Sequence, residues 1–203
     1  MTPIKPYLVI LLSIVFQNIA AAQDNDRSAY QTQLYKLAIK TSESGDYLEA
    51  IRTFAISNNI NPKAEVATLA LKKADSLKFI LRQNKINELI GKWKWIPKEG
   101  NWAIREDNLV GKMIHITVEE IQFFELYKNA KEWKLVQTDK NRFSENPESY
   151  SFTEFLNSNN EVWDYNIDSN TGELIATYIG EKIENNYTEL VCGNQKLNYF
   201  KLQ

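Results

Sequence analysis

The chain changes its hydrophobic period once, near Ile90. Before that point apolar residues recur at helical spacing; after it they alternate. A 3.6-residue period cannot settle as a strand, and a two-residue period cannot settle as a helix. The chain must therefore form a helical segment followed by an antiparallel one. The expected organisation is 1–22 as an export signal, 23–90 as helices and 91–203 as strands.

Three helices are expected in the first part. Residues 29–43 place Tyr30, Leu34, Leu37 and Ala38 on one face. Ser44-Gly45-Asp46 interrupts the pattern. Residues 47–58 carry Tyr47, Ala50, Ile51 and Phe54 as a second stripe, ended by Asn61-Pro62, since proline cannot continue a helix. A third helix runs from about Lys63 to Ile90, with Val66, Leu69, Ala70, Leu77, Ile80 and Leu81 inward. The second part holds strand candidates at 92–97, 112–118, 121–127, 132–139, 149–157, 161–168, 173–179, 184–192 and 197–202. Short Asn-, Ser- and Gly-containing turns separate them. A meander of eight or nine strands closes on itself or folds into a sandwich, because closure removes exposed sheet edges.

The N-terminus has the three parts of a secretory signal. Lys5 is the positive region, Tyr7 to Phe16 the apolar core, and Ala20-Ala21-Ala22 the small residues before a cut at Gln23. The apolar core is about ten residues, against the roughly 20 that span a bilayer. The protein is expected to be exported to the periplasm or beyond the cell, with no stable membrane span after cleavage. Cys192 is the only cysteine, so an internal disulfide is excluded. A buried thiol or an intermolecular bridge remains. The formal net charge of −2 argues against a nucleic-acid partner, which requires clustered Lys and Arg.

Catalytic chemistry finds little support. His115, the only histidine, lies mid-strand between Ile114 and Ile116, and no G-x-S-x-G elbow exists. One His and one Cys do not make a structural zinc site. Glu119-Glu120 are adjacent and form a turn rather than a facing carboxylate pair. Glu99, Glu106 and Asp107 lack calcium-loop spacing, and seven glycines include no phosphate cradle. A non-enzymatic protein without cofactor or metal is expected.

The stretch Gly45-x-Tyr47-x-x-Ala50-x-x-x-Phe54, with Pro62 beyond it, resembles a tetratricopeptide repeat over about 31–64. The resemblance implies a helical hairpin in which Gly45 makes the turn and Ala50 lies where the helices cross. A single unit serves a structural role or docks a partner protein. Gly91-Lys92-Trp93, directly after a helix, together with the meander and the ending Glu189 to Leu202, resembles the bacterial secreted lipocalin-like domains over 91–203. That resemblance implies an up-and-down β-barrel, with Trp93 plugging its closed end. The family stacks an Arg of the last strand on this Trp; here the last strand offers Lys196 or Lys201.

All five tryptophans fall between Trp93 and Trp163. Trp93, Trp95, Trp102, Phe155, Trp163, Tyr165 and Tyr178 are the candidate ligand-binding residues. They either fill a narrow barrel or line a cavity. The leading expectation is an exported protein that holds a small apolar ligand. The alternative is an interaction module, in which the helices dock a partner and the barrel is a scaffold.

Overall fold

The computed structural model describes residues 6–97, 108–147, 149–189 and 193–203. Three helices come first: α1 (Pro6–Glu43), α2 (Tyr47–Ile60) and α3 (Glu65–Leu89). Nine strands follow: β1 (Gly91–Ile96), β2 (Leu109–Ile116), β3 (Glu120–Tyr127), β4 (Lys134–Lys140), β5 (Phe155–Leu156), β6 (Glu161–Ile167), β7 (Leu174–Ile183), β8 (Asn186–Glu189) and β9 (Lys196–Lys201). The chain forms two compact units, Met1–Phe79 and Ile80–Gln203. Among the described residues, no helix is long and apolar enough to cross a membrane.

In the first unit, α1 and α2 form a hairpin. Gly45 turns it at φ +87°, a left-handed conformation that glycine adopts without strain. Asp46 then caps α2, its carboxylate accepting from Glu49 N at 3.2 Å. Ala38 and Ala50 are fully buried, and the Tyr35 and Phe54 rings meet at 5.5 Å. The packing face of α1 differs from the expected one. Tyr30 and Leu37 are exposed, whereas Gln31 is buried. The reason is polar: Gln31 Nε2 donates to Ser57 O at 2.9 Å and Asn61 O at 3.1 Å, while Ser57 Oγ donates back to Gln31 O. An amide so satisfied can be buried at small cost. In α3, Leu69 and Ile80 are exposed, and the buried positions are Ala67, Ala70, Ala74, Ile86 and Leu89.

In the second unit, the strands form one antiparallel sheet in the order β4-β3-β2-β1-β9-β7-β6-β5, with β8 paired to β7. β7 is long enough to serve two partners. Leu174 to Thr177 pair with β9, and Gly180 to Ile183 pair with β8. β8 and β9 are thus two pieces of one lane. Counted so, the sheet is an eight-lane meander cut open between β4 and β5. It curls strongly into a half-barrel, an architecture compatible with the lipocalin-like barrel expected from Gly91-Lys92-Trp93. The chain leaving β4 crosses the opening. Phe143 bridges to Phe155, Leu156 N donates to Arg142 O at 2.8 Å, and Ser144 N donates to Glu154 O at 2.7 Å.

The expected strand at 149–157 shrinks to Phe155–Leu156. Ser149, Ser151 and Thr153 spend their hydroxyls locally. Ser149 Oγ accepts from Phe152 N, and Ser151 Oγ accepts from Thr153 N. Phe152 sits at φ +59°, outside the strand region. Such side-chain bonds compete with the sheet ladder.

The last ten residues of α3 belong to the strand unit. Leu89 and Ile86 join its core with Trp93, Ile114, Ile116, Ile121, Phe155, Tyr165 and Leu174. Arg82 fastens this segment: its Nε donates to Phe152 O and its Nη2 to Ser144 O, both at 3.0 Å. Its Nη1 lies 2.8 Å from Glu145 Oε1. Lys85 Nζ donates to Tyr165 O at 3.1 Å and to Asn166 Oδ1 at 2.9 Å.

Candidate functional site

Trp93 lies at the start of β1 and is 1% exposed. Its Nε1 donates to Leu89 O at 2.8 Å, using a carbonyl that the end of α3 leaves free. Lys201 Nζ stands 5.0 Å above its ring centroid, the distance of a cation–π contact. Gly91 makes room: at φ +141°, a Cβ there would meet Lys201 Cε at 2.8 Å. The last strand therefore supplies the cation over this ring with Lys201 rather than Lys196. Trp93 is buried core, not a wall of an opening.

The opening lies on the concave face, between β2–β4 on one side and β6, β7 and β9 on the other. It is a cleft of about 180 Å³. Its apolar walls include Met113, Ile114, Phe123, Trp163, Tyr165, Ala176, Leu197 and Tyr199. Its polar residues are Lys112, Glu125, Gln137, Asn157, Asn159 and Glu161. On β6 and β9 they come from alternate positions, Glu161, Trp163 and Tyr165, then Leu197 and Tyr199, which is how a pleated sheet presents one face; β2, β3 and β4 contribute neighbouring residues.

The seven expected aromatics divide by place. Trp163 and Tyr165 line the cleft. Trp93 and Phe155 are fully buried core; Phe155 meets Tyr165 edge-on at 5.4 Å and Phe143 at 4.6 Å. Trp95 and Tyr178 pack against that core while partly exposed. Trp95 Nε1 is buried with no hydrogen-bond partner among the described residues. Trp102, like Cys192, lies outside the described residues. Tyr199, Phe123, Ile114 and Leu197 complete the cleft and were not among the candidates. Their alternation was readable, but which face of each strand turns inward depends on how the sheet curls.

The phenols share one electrostatic condition. Burial pushes Tyr165 well above the ordinary tyrosine value, with Tyr199, Asp139 and Glu161 adding to the rise and Asn157 opposing it. Burial alone raises Tyr199. Tyr178 is pushed up to about 12 by burial, by its hydrogen bond to Glu181 at 2.7 Å, and by the charges of Glu181 and Glu161. Trp163 Nε1 donates to Glu161 Oε2 at 2.8 Å, and its ring lies 5.5 Å from that of Tyr178. Phenols so raised stay protonated and are not poised to transfer protons near neutrality.

His115 lies on β2, its Nδ1 3.3 Å from Gln122 Oε1 on β3. Among the described residues, no group of three or more His, Cys, Asp or Glu converges to hold a metal. A second cleft of about 180 Å³ is lined by Ser144, Ser149, Glu154 and Tyr187 among others. There the Glu154 carboxylate already accepts from the hydroxyls of Ser149 and Ser151.

The fold and the cleft define a class of architecture: a helix-capped, antiparallel half-barrel with an aromatic interior. Comparison of the chain with protein-family models, with curated proteins and with solved structures finds no match.

Proposed function

We propose that this chain is an exported, non-enzymatic binding protein of lipocalin-like type, whose half-barrel holds a small apolar ligand. The observation that carries the reading is the apolar and aromatic wall of the concave cleft. Small-molecule sites combine such walls with a few polar groups. The cleft of about 180 Å³ is smaller than a drug-sized site of roughly 300 Å³ or more, but an apolar cavity of about 150 Å³ accepts benzene. The expected guest is therefore no larger than a single ring or a short alkyl chain.

Tryptophan emission, with Trp163 in the wall, reports occupancy. Titration with indole-free probes such as propylbenzene is expected to give a saturable change. Ala176→Leu fills the cleft from β7 and is expected to abolish it. A linear, non-saturating response in the native protein would remove this reading.

The exposed apolar residues Tyr30, Leu37, Leu69 and Phe79 of the helices favour a second reading. In it the helical unit docks a partner protein. Retention of a purified partner by full-length chain, and its loss on Leu37→Asp and Leu69→Asp, supports that reading over the first.

A further inference from the structure

Most polar side chains in the wall of the concave cleft already have a partner. Lys112 Nζ lies 3.7 Å from Glu125 Oε1, and Trp163 Nε1 donates to Glu161 Oε2 at 2.8 Å. Gln137 Nε2 donates to Asp139 Oδ2 at 2.6 Å. The Asn157 amide bonds to Tyr165. Tyr199 differs. It lines the cleft and is 4% exposed, yet its hydroxyl makes no hydrogen bond among the described residues. Nor is that hydroxyl sealed away. The sealed side-chain atoms without a partner among the described residues are Trp95 Nε1, Asp139 Oδ1 and Asn141 Oδ1. Buried phenols nearly always find a partner, so an open hydroxyl on a cleft wall marks where an occupant bonds.

Strand pairing shows how room arises beside it. Ala176 on β7 stands opposite Tyr165 on β6 and opposite Leu197 on β9. Leu174, two residues before Ala176, stands opposite Tyr199. Directly paired residues of an antiparallel sheet share a face. Tyr165 and Tyr199 therefore flank β7 on the face that carries Ala176, whose methyl group fills little of the space between them.

Charge narrows the guest. Lys112 is the one cation among the described lining residues and is paired, whereas Glu161 is an anion in the same wall. An anionic guest would meet Glu161 with no free cation to offset it. A phenol gives its proton to a bond more readily than it accepts one, because the ring draws on the oxygen lone pairs.

We propose that the cleft takes a small apolar guest bearing one neutral acceptor oxygen, a ketone or aldehyde carbonyl, which accepts from the Tyr199 hydroxyl. The hydrocarbon part lies against Ile114, Phe123 and Trp163. This deepens the binding reading above and rests on it. A water on the Tyr199 hydroxyl would satisfy it equally but would give no preference for a carbonyl guest.

The test is isothermal titration of the full-length chain at neutral pH with three probes of matched shape: acetophenone, isopropylbenzene and benzoate. Isopropylbenzene gains more by leaving water, so acetophenone binding at least as tightly reports the added bond. That order is expected, with benzoate weakest. Tyr199→Phe keeps the ring and removes the hydroxyl. It is expected to weaken acetophenone about tenfold and to leave isopropylbenzene unchanged. The carbonyl stretch of bound acetophenone is expected below its value in hexane, as for a carbonyl that accepts a hydrogen bond. Weaker binding of acetophenone than of isopropylbenzene overturns the acceptor preference and leaves the apolar site standing. Benzoate binding most tightly overturns it too, and equal loss of both neutral probes in Tyr199→Phe overturns the role of Tyr199. No saturable binding of any probe overturns both readings. Should Tyr199→Phe fail to fold, the native affinities and the carbonyl stretch still decide the matter, a stretch at the hexane value removing the bond.

Discussion

Tyr165 and Tyr199 bring phenols into the half-barrel at 2% and 4% exposure. In an unfolded chain each loses its proton near pH 10. Inside, each keeps it to higher pH. The sign of the effect follows by linkage. Below about pH 10 both states are protonated and stability is unaffected; above it only the unfolded state gains by ionising, so stability falls as pH rises through the folded values. Alkaline denaturation is expected to begin above about pH 10, with the phenolate absorbance of the buried tyrosines appearing together with the loss of far-ultraviolet dichroism. Tyr165→Phe is expected to flatten that limb. Phenolate absorbance appearing well before unfolding would contradict the burial. At this scale the sequence was partly legible. Trp93 could be read as an inward residue of the first strand, and it is buried. Gln31 could not be placed in the helical core, because its burial depends on two carbonyls, those of Ser57 and Asn61, far along the chain.

Among the elements, the end of α3 is the one whose role was least visible. Its amphipathic pattern runs unbroken from Glu65 to Leu89, yet its last ten residues lie in the strand unit. Arg82 carries that connection through two backbone carbonyls, one carboxylate and the Phe143 ring at 5.2 Å. Arg82→Ala would leave the Phe152 and Ser144 carbonyls without their donor. A loss of about 2–3 kcal/mol in denaturant unfolding is expected, since unpaired buried polar groups cost about 1–3 kcal/mol each. Arg82→Lys is expected to recover only part, because an ammonium cannot reproduce the planar fork. An alanine variant as stable as the native protein would show that these carbonyls find water instead. The strands themselves were legible by alternation, with one exception. In 149–157, hydroxyl-bearing residues at every second position mimic a strand pattern, while their side chains bond locally and bend the chain.

At the scale of the whole molecule, the α+β order and the meander followed from the switch of period near Ile90. The opening between β4 and β5 did not, because it depends on where a curled sheet stops short. β1 pairs with β9 from Trp93↔Lys201 to Ile96↔Asn198, so the first strand lies beside the last. Deleting 198–203 removes that lane and the cation over Trp93. It is expected to abolish cooperative thermal unfolding of the half-barrel, whereas deleting Gln203 alone is expected to change the melting midpoint little.

The pairing of first strand with last also sets an order in time. Strand β1 leaves the ribosome about a hundred residues before β9, and contacts so distant in sequence form slowly. Until β9 emerges, Trp93 has no Lys201 and β1 has one open edge. The half-barrel therefore cannot finish until Lys196–Lys201 have left the ribosome, long after its first strand has.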